Sequence, residues 1–244
     1  KADIGTNVNG ESAGAITVAG AAVRTDLAMN SLVVVEDNVT LIVKDDSPAG
    51  GGIALSTFND IFYYDSVAYK GGGVVSGIGG SSTLDTFDDE DPDEDDGNML
   101  VGTVQIGTDP TSGADSNITL SSTGDIRFAS NSEVDATIKV SVDNYGLVTV
   151  SVAQSRLQIN PVHNITVANG AEIKALRHVR MLTGMDENFN RDIYKLATYS
   201  DTLAGSLIPI DQVVQDSLLL ITNRIDILDG ATVLSGGNVD LLAD

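Results

Sequence analysis

Residues 165–183 read ITVANGAEIKALRHVRMLT, and residues 225–243 read IDILDGATVLSGGNVDLLA. The two stretches align without a gap. Ile165 falls on Ile225, Val167 on Ile227, and Gly170-Ala171 on Gly230-Ala231. Ile173 then falls on Val233, Val179 on Val239, Met181 on Leu241 and Leu182 on Leu242. Each copy holds three short apolar-alternating pieces separated by small or polar residues. Strands this short cannot bury a face alone, but stacked copies bury a continuous column of Ile, Val and Leu. The reading that follows is all-β: a right-handed parallel β-helix (β-solenoid) with irregular inserted loops.

Composition agrees with such a fold. Of 244 residues 42% are hydrophobic, enough for a core, while only 5% are aromatic and Trp is absent. A narrow core filled by aliphatic rungs accounts for that imbalance. The net charge of -22 repels phosphates, which argues against nucleic acid and anionic membrane surfaces as partners. With no Cys, disulfide scaffolds, thiolate metal sites and Cys nucleophiles are excluded. No apolar run approaches the roughly 18 residues of a membrane span. The chain opens at Lys1 and closes at Asp244 inside what reads as a coil, so the expectation is a piece of something longer or a unit that stacks on a neighbour.

Outward from the paired stretches, residues 1–15 read as an irregular lead and residues 16–244 as the solenoid. ITV (16–18), LVVVE (32–36) and VTLIVK (39–44) alternate with β-branched enrichment, and turn residues such as Asp37-Asn38 divide them. IKVSV (138–142) and LVTVSV (147–152) put Ile and Val on one parity and Lys, Ser or Thr on the other, giving one buried and one wet face. Two insertions interrupt the rungs, an acidic one at 86–98 and a lateral one at 184–223. Within the second, DENFNRDIYKLA carries a helical alternative to a lateral loop or irregular coil.

The acidic insertion holds Asp88, Asp89, Glu90, Asp91, Asp93, Glu94, Asp95 and Asp96. Like charges repel and stay solvated, so a protruding loop is the bland reading. The sharper one is a loose calcium site, because hard cations take six to eight oxygen ligands. The spacing of a calcium-binding loop is absent. Asn38, Asn117 and Asn164 each begin N-[VI]-T-[LV], a glycosylation sequon in form; all three also open a rung, where Asn suits a corner. His163 and His178 read as turn residues, and no G-x-S-x-G elbow supplies a nucleophile for a Ser-His-Asp arrangement. Asp226 and Asp240 are the carboxylates to weigh as a glycosidase pair. At the matching positions the earlier copy has Thr166 and Arg180, which favours ordinary solvated rung positions.

Residues 164–184 and 223–244, with the spacer ending SLIPI (206–210), resemble the repeats of giant secreted parallel β-helix exoproteins, the filamentous-haemagglutinin-like adhesins of bacterial surfaces. The resemblance covers about the last 80 residues. It implies a long extracellular, cell-surface fibre that mediates attachment or aggregation, with cell-surface glycans as partners. The expectation is therefore a non-enzymatic structural component of a fibre, adhesin or sheath that assembles end to end with itself. The alternatives are a carbohydrate-active β-helix enzyme and a calcium-dependent surface binding module, calcium being the only cofactor in view.

Overall fold

The computed structural model describes residues 1–47, 50–86, 100–108 and 114–244. Among them are fifteen strands in three sheets, every strand pairing in parallel, and no helix; none is therefore long and apolar enough to cross a membrane. The first sheet holds β1 (Ala2–Ala13), β2 (Ile16–Asp26), β5 (Ile53–Asp85), β8 (Ile126–Ile159), β11 (Val179–Thr183), β12 (Ile193–Leu219) and β15 (Val239–Ala243). The second holds β3 (Met29–Val35), β6 (Leu100–Ile106), β9 (Pro161–Val167) and β13 (Thr222–Ile227). The third holds β4 (Thr40–Val43), β7 (Thr119–Ser122), β10 (Glu172–Ala175) and β14 (Thr232–Ser235). The chain visits the sheets in the same order on every pass, so β8–β9–β10 lie on β5–β6–β7 and under β11–β12–β13–β14.

The register agrees with the sequence alignment residue by residue. Ile165 pairs with Ile225, Ile173 with Val233, Val179 with Val239 and Met181 with Leu241. Ile165 and Val179 lie in one buried cluster with Phe128, Leu120 and Ile106, and Ile225 packs against it. Val239 continues the same column but is 45% exposed, being the last strand position of that column among the described residues.

The long strands of the first sheet run out and come back. Ser82 Oγ donates to the Asp65 carboxylate, and Gln215 Nε2 donates to the Ser200 carbonyl at 3.2 Å, so the two halves of β5 and of β12 face one another. The reversal falls at Val74, Leu147 and Leu207, the positions that drop out of an otherwise continuous register. Between the arms lies a second buried cluster, including Ile61, Val67, Leu84, Val134, Ile138 and Leu157. Burying an aliphatic side chain fully contributes about 1.5–3 kcal/mol, which two such interiors multiply.

Two expectations need correction. Residues 1–15 are not an irregular lead: β1 pairs with β5 along its whole length, because small residues still complete a parallel ladder. Residues 184–223 are not a lateral insertion or a helix. Only 184–192 form a loop, and β12 then continues the first sheet in register with β8. The acidic segment at 86–98, with its eight carboxylates, lies outside the described residues apart from Thr86.

Candidate functional site

The most reactive side chains meet inside the molecule, where the two interiors join. Alternation along β9 turns Pro161, His163, Ile165 and Val167 inward, and His163 is 0% exposed. Its Nδ1 lies 2.7 Å from Asn223 Oδ1, one pass above in the same column. An amide oxygen accepts, so Nδ1 carries the proton and Nε2 faces Ser132 Oγ at 3.1 Å. Asp192 closes the group. It accepts from the Ser132 backbone N–H at 3.1 Å and the Tyr194 hydroxyl at 2.8 Å, and its Oδ2 is 3.3 Å from His163 Nε2. Burial pushes the Tyr194 hydroxyl far above its usual range; the Ser132 hydrogen bond opposes this and the adjacent carboxylate adds to it. The Asn223 amide donates to the Asp244 carbonyl.

This group is one stage of a polar seam. On the earlier passes Ser31 Oγ donates to Asn59 Oδ1 at 2.5 Å, Thr57 Oγ1 to Ser130 Oγ at 3.0 Å, and Ser130 Oγ to the Gly102 carbonyl at 2.9 Å. Gly102 occupies the His163 column, and a Cβ there would meet Ser130 Oγ at 2.6 Å. The seam thus pairs these hydroxyls and carbonyl oxygens between two dry interiors, where an unpaired group costs about 1–3 kcal/mol; the buried Asn59 Nδ2 finds no partner among the described residues.

In outline Ser132, His163 and Asn223 have the order of a hydrolase relay, a serine on an imidazole oriented by a third group. However, Ser132 is 1% exposed. A nucleophile must touch a reacting carbon, and this hydroxyl is spent on neighbours inside the wall. The arrangement locks adjacent passes together.

The residues that the sequence singles out fall elsewhere. Asn38 and Asn117 occupy the corner before the third sheet with φ of 62° and 52°, and Gly170 and Gly230 take the same corner on later passes at 70° and 75°. Asn164 does not sit at a corner: it is half-buried in mid-β9, between Thr103 and Arg224. His163 is not a turn residue either, for its parity along β9 takes it into the seam. His178 is in a turn, where Nδ1 accepts the Asn238 N–H at 3.0 Å. Asp226, on β13 in the second sheet, pairs with Arg224 at 2.6 Å, and Asp240, on β15 in the first sheet, with Arg180 at 3.4 Å, so the two carboxylates are engaged by arginines on different sheets. Among the described residues no three His, Cys, Asp or Glu converge to hold a metal.

The outer face of the outgoing arm carries exposed rings. Alternation in β5 sends Tyr63 inward while Phe58, Phe62 and Tyr64 face out, and Tyr199 joins them on β12. Lys139 Nζ lies 5.5 Å from the Tyr64 ring centre and 5.8 Å from that of Tyr199. Phe62 lines a shallow groove with Asp3, Asp60, Glu133 and Asp135. Sequence reading overlooked both features. The seam was marked by a polar His on the parity of Ile165 and Val167, and the outer face by the alternation within IFYYD.

These features define a class, an all-β protein of stacked parallel sheets with a sealed polar seam. No family model, curated protein or solved structure matches the chain.

Proposed function

We propose that this chain is a structural β-solenoid, a right-handed parallel β-helix whose passes form a stiff rod in an extracellular fibre, adhesin or sheath. The observation that carries the reading is the change of burial along single columns. Val167, Val179 and Met181 are fully buried, whereas Ile227, Val239 and Leu241, one pass on, are 39%, 45% and 47% exposed. An end that leaves its core columns and strand edges open is a template for further pairing. Contacts between unlike ends that do not close into a ring build a filament. Electron microscopy of the purified chain tests this: rods that lengthen with concentration are expected, and particles of one size at all concentrations would refute it.

An attachment role draws support from the outer face of β5, β8 and β12. Exposed rings beside carboxylates suit uncharged glycans, since apolar sugar faces stack on aromatic rings and carboxylates accept from hydroxyls. The Phe62→Ala chain is expected to lose binding to neutral oligosaccharides with its melting temperature unchanged; equal binding by both chains removes this role.

A further inference from the structure

We infer that the two ends of the stack are complementary in register, so that a second copy of this chain seats its first pass on its neighbour's last pass. The inference rests on the rod reading and specifies its joint. Four columns run through every pass: Ala2–Ile61–Val134–Tyr194, Ile16–Val75–Val148–Ile208, Val33–Val104–Ile165–Ile225 and Leu41–Leu120–Ile173–Val233. Between the first and last passes the residue numbers differ by the same 192 in all four (194 less 2, 208 less 16, 225 less 33, 233 less 41). The second pass breaks this spacing, because its links to Val104 and Leu120 are longer. The two end passes therefore share one layout of arms and corners, and it is also the layout of the third pass, on which the last already sits.

The remaining strand makes the joint directional. β15 stands one pass above the rest of its end, paired with β11 on one side only. At the other end, β5 pairs with β1 only from Ile61 onward, so Ile53–Thr57 has a strand partner on the β8 side alone. Among the described residues no short strand of the first pass pairs with Ile53–Thr57, and β15 has the register of such a strand. Seated on a neighbour, β15 fills the gap: Val239 takes the column of Ile53 and Leu241 that of Leu55. Tyr194 then meets Ala2, Ile225 meets Val33 and Val233 meets Leu41, apolar on apolar in each case. The contact repeats the packing already present between passes, and its unlike faces give heterologous growth.

The chain has no Cys, so introduced cysteines report the joint without background. Parallel neighbours lie about 4.8 Å apart, inside the Cα separation a disulfide tolerates. The register puts Asp240 of one copy beside Ala54 of the next. Ala54→Cys and Asp240→Cys chains, each checked for an unchanged melting temperature and mixed under mild oxidation, are expected to give a covalent dimer. The yield is at least about tenfold above that of the displaced pair Ala54→Cys with Leu242→Cys, since two residues along the strand shift the Cα by about 6.6 Å and carry the pair beyond disulfide reach. Either chain alone stays uncoupled. Rods without the coupled dimer, or Asp240→Cys chains coupling to one another, overturn the joint but leave the rod reading standing. Particles of one size at every concentration overturn both.

A covalent version removes the concentration dependence. Two copies joined from Asp244 through one glycine to Lys1 reproduce the four-residue step from Thr57 to Ile61 and from Ser130 to Val134. One cooperative unfolding transition and a doubled rod length are expected; two copies that tumble independently overturn the joint.

Discussion

Phe128 sits in the column Leu55–Phe128–Met181–Leu241 and is fully buried, whereas Leu241 ends it half-exposed. Phe128→Ala removes a ring that its neighbours cannot replace and is expected to cost about 3–5 kcal/mol in denaturant unfolding. Leu241→Ala leaves no enclosed cavity and is expected to cost under about 1 kcal/mol; equal losses would mean that the column is not a shared interior. In the seam, Asp192→Ala strands the Ser132 N–H, while the Tyr194 hydroxyl keeps Ser132 Oγ at 2.8 Å, so the expected loss is about 1–3 kcal/mol, that of one group left buried and unpaired. The Phe128 column was legible in the sequence, because aliphatic and aromatic residues recur on one parity. The seam was not. A lone His beside Asn is also the mark of a turn, and the partners that decide otherwise, Ser132, Asp192 and Asn223, lie far from it in sequence but within hydrogen-bond reach in the fold.

The out-and-back strands are the element that sequence reading saw least. Their inner positions on β12 include Thr198, Ser200 and Thr202, which blur the apolar alternation, and β1 offers Gly and Asn where a strand usually shows branched residues. What fixes these elements is pairing to β5 and β8, a long-range effect that local propensity does not contain. Their reversal is sterically exacting: a Cβ on Gly146 would run into the Gly73 carbonyl, while one on Gly77 meets nothing within 4 Å. Gly146→Ala is expected to destabilise by about 1–3 kcal/mol and Gly77→Ala to be near neutral in thermal unfolding. The loop before β12 adds a pH dependence. Burial disfavours the Asp186 charge, but hydrogen bonds from the Asn190 side chain and the Asn190 and Asn188 N–H groups outweigh it and hold the carboxyl below its ordinary value. A depressed folded value gives stability that is present above the unfolded value, about 3.9, and lost as pH falls through the folded one. The protection factors of the Asn188 and Asn190 amides, measured against their intrinsic exchange rates, are therefore expected to fall in acid below about pH 4. An identical acid response in Asp186→Asn would show that another group is responsible.

For the whole molecule, the opposing terms in the proposed end-to-end assembly are apolar burial at the ends and repulsion between copies that each carry a net charge of -22. Burial at the joint is short-ranged and nearly indifferent to salt. Repulsion is long-ranged, and its screening length falls from about 30 Å at 0.01 M to about 8 Å at 0.15 M ionic strength. Rods are therefore expected to lengthen, and the concentration at which they first form to fall, as sodium chloride rises across that range in sedimentation velocity runs. Shortening with salt would mean that ion pairs, not buried columns, hold the joint. In the proposed rod, divalent cations would act on a different contact. Exposed carboxylates such as Asp201 and Asp211 lie on the sides of that proposed rod, so calcium at matched ionic strength is expected to widen rods into bundles without changing their length. A chelator then separates the bundles into single rods. Bundles that keep their width in chelator would remove calcium from the account, while the joint between β15 and the notch beneath Ile53–Thr57 would stand on its own evidence.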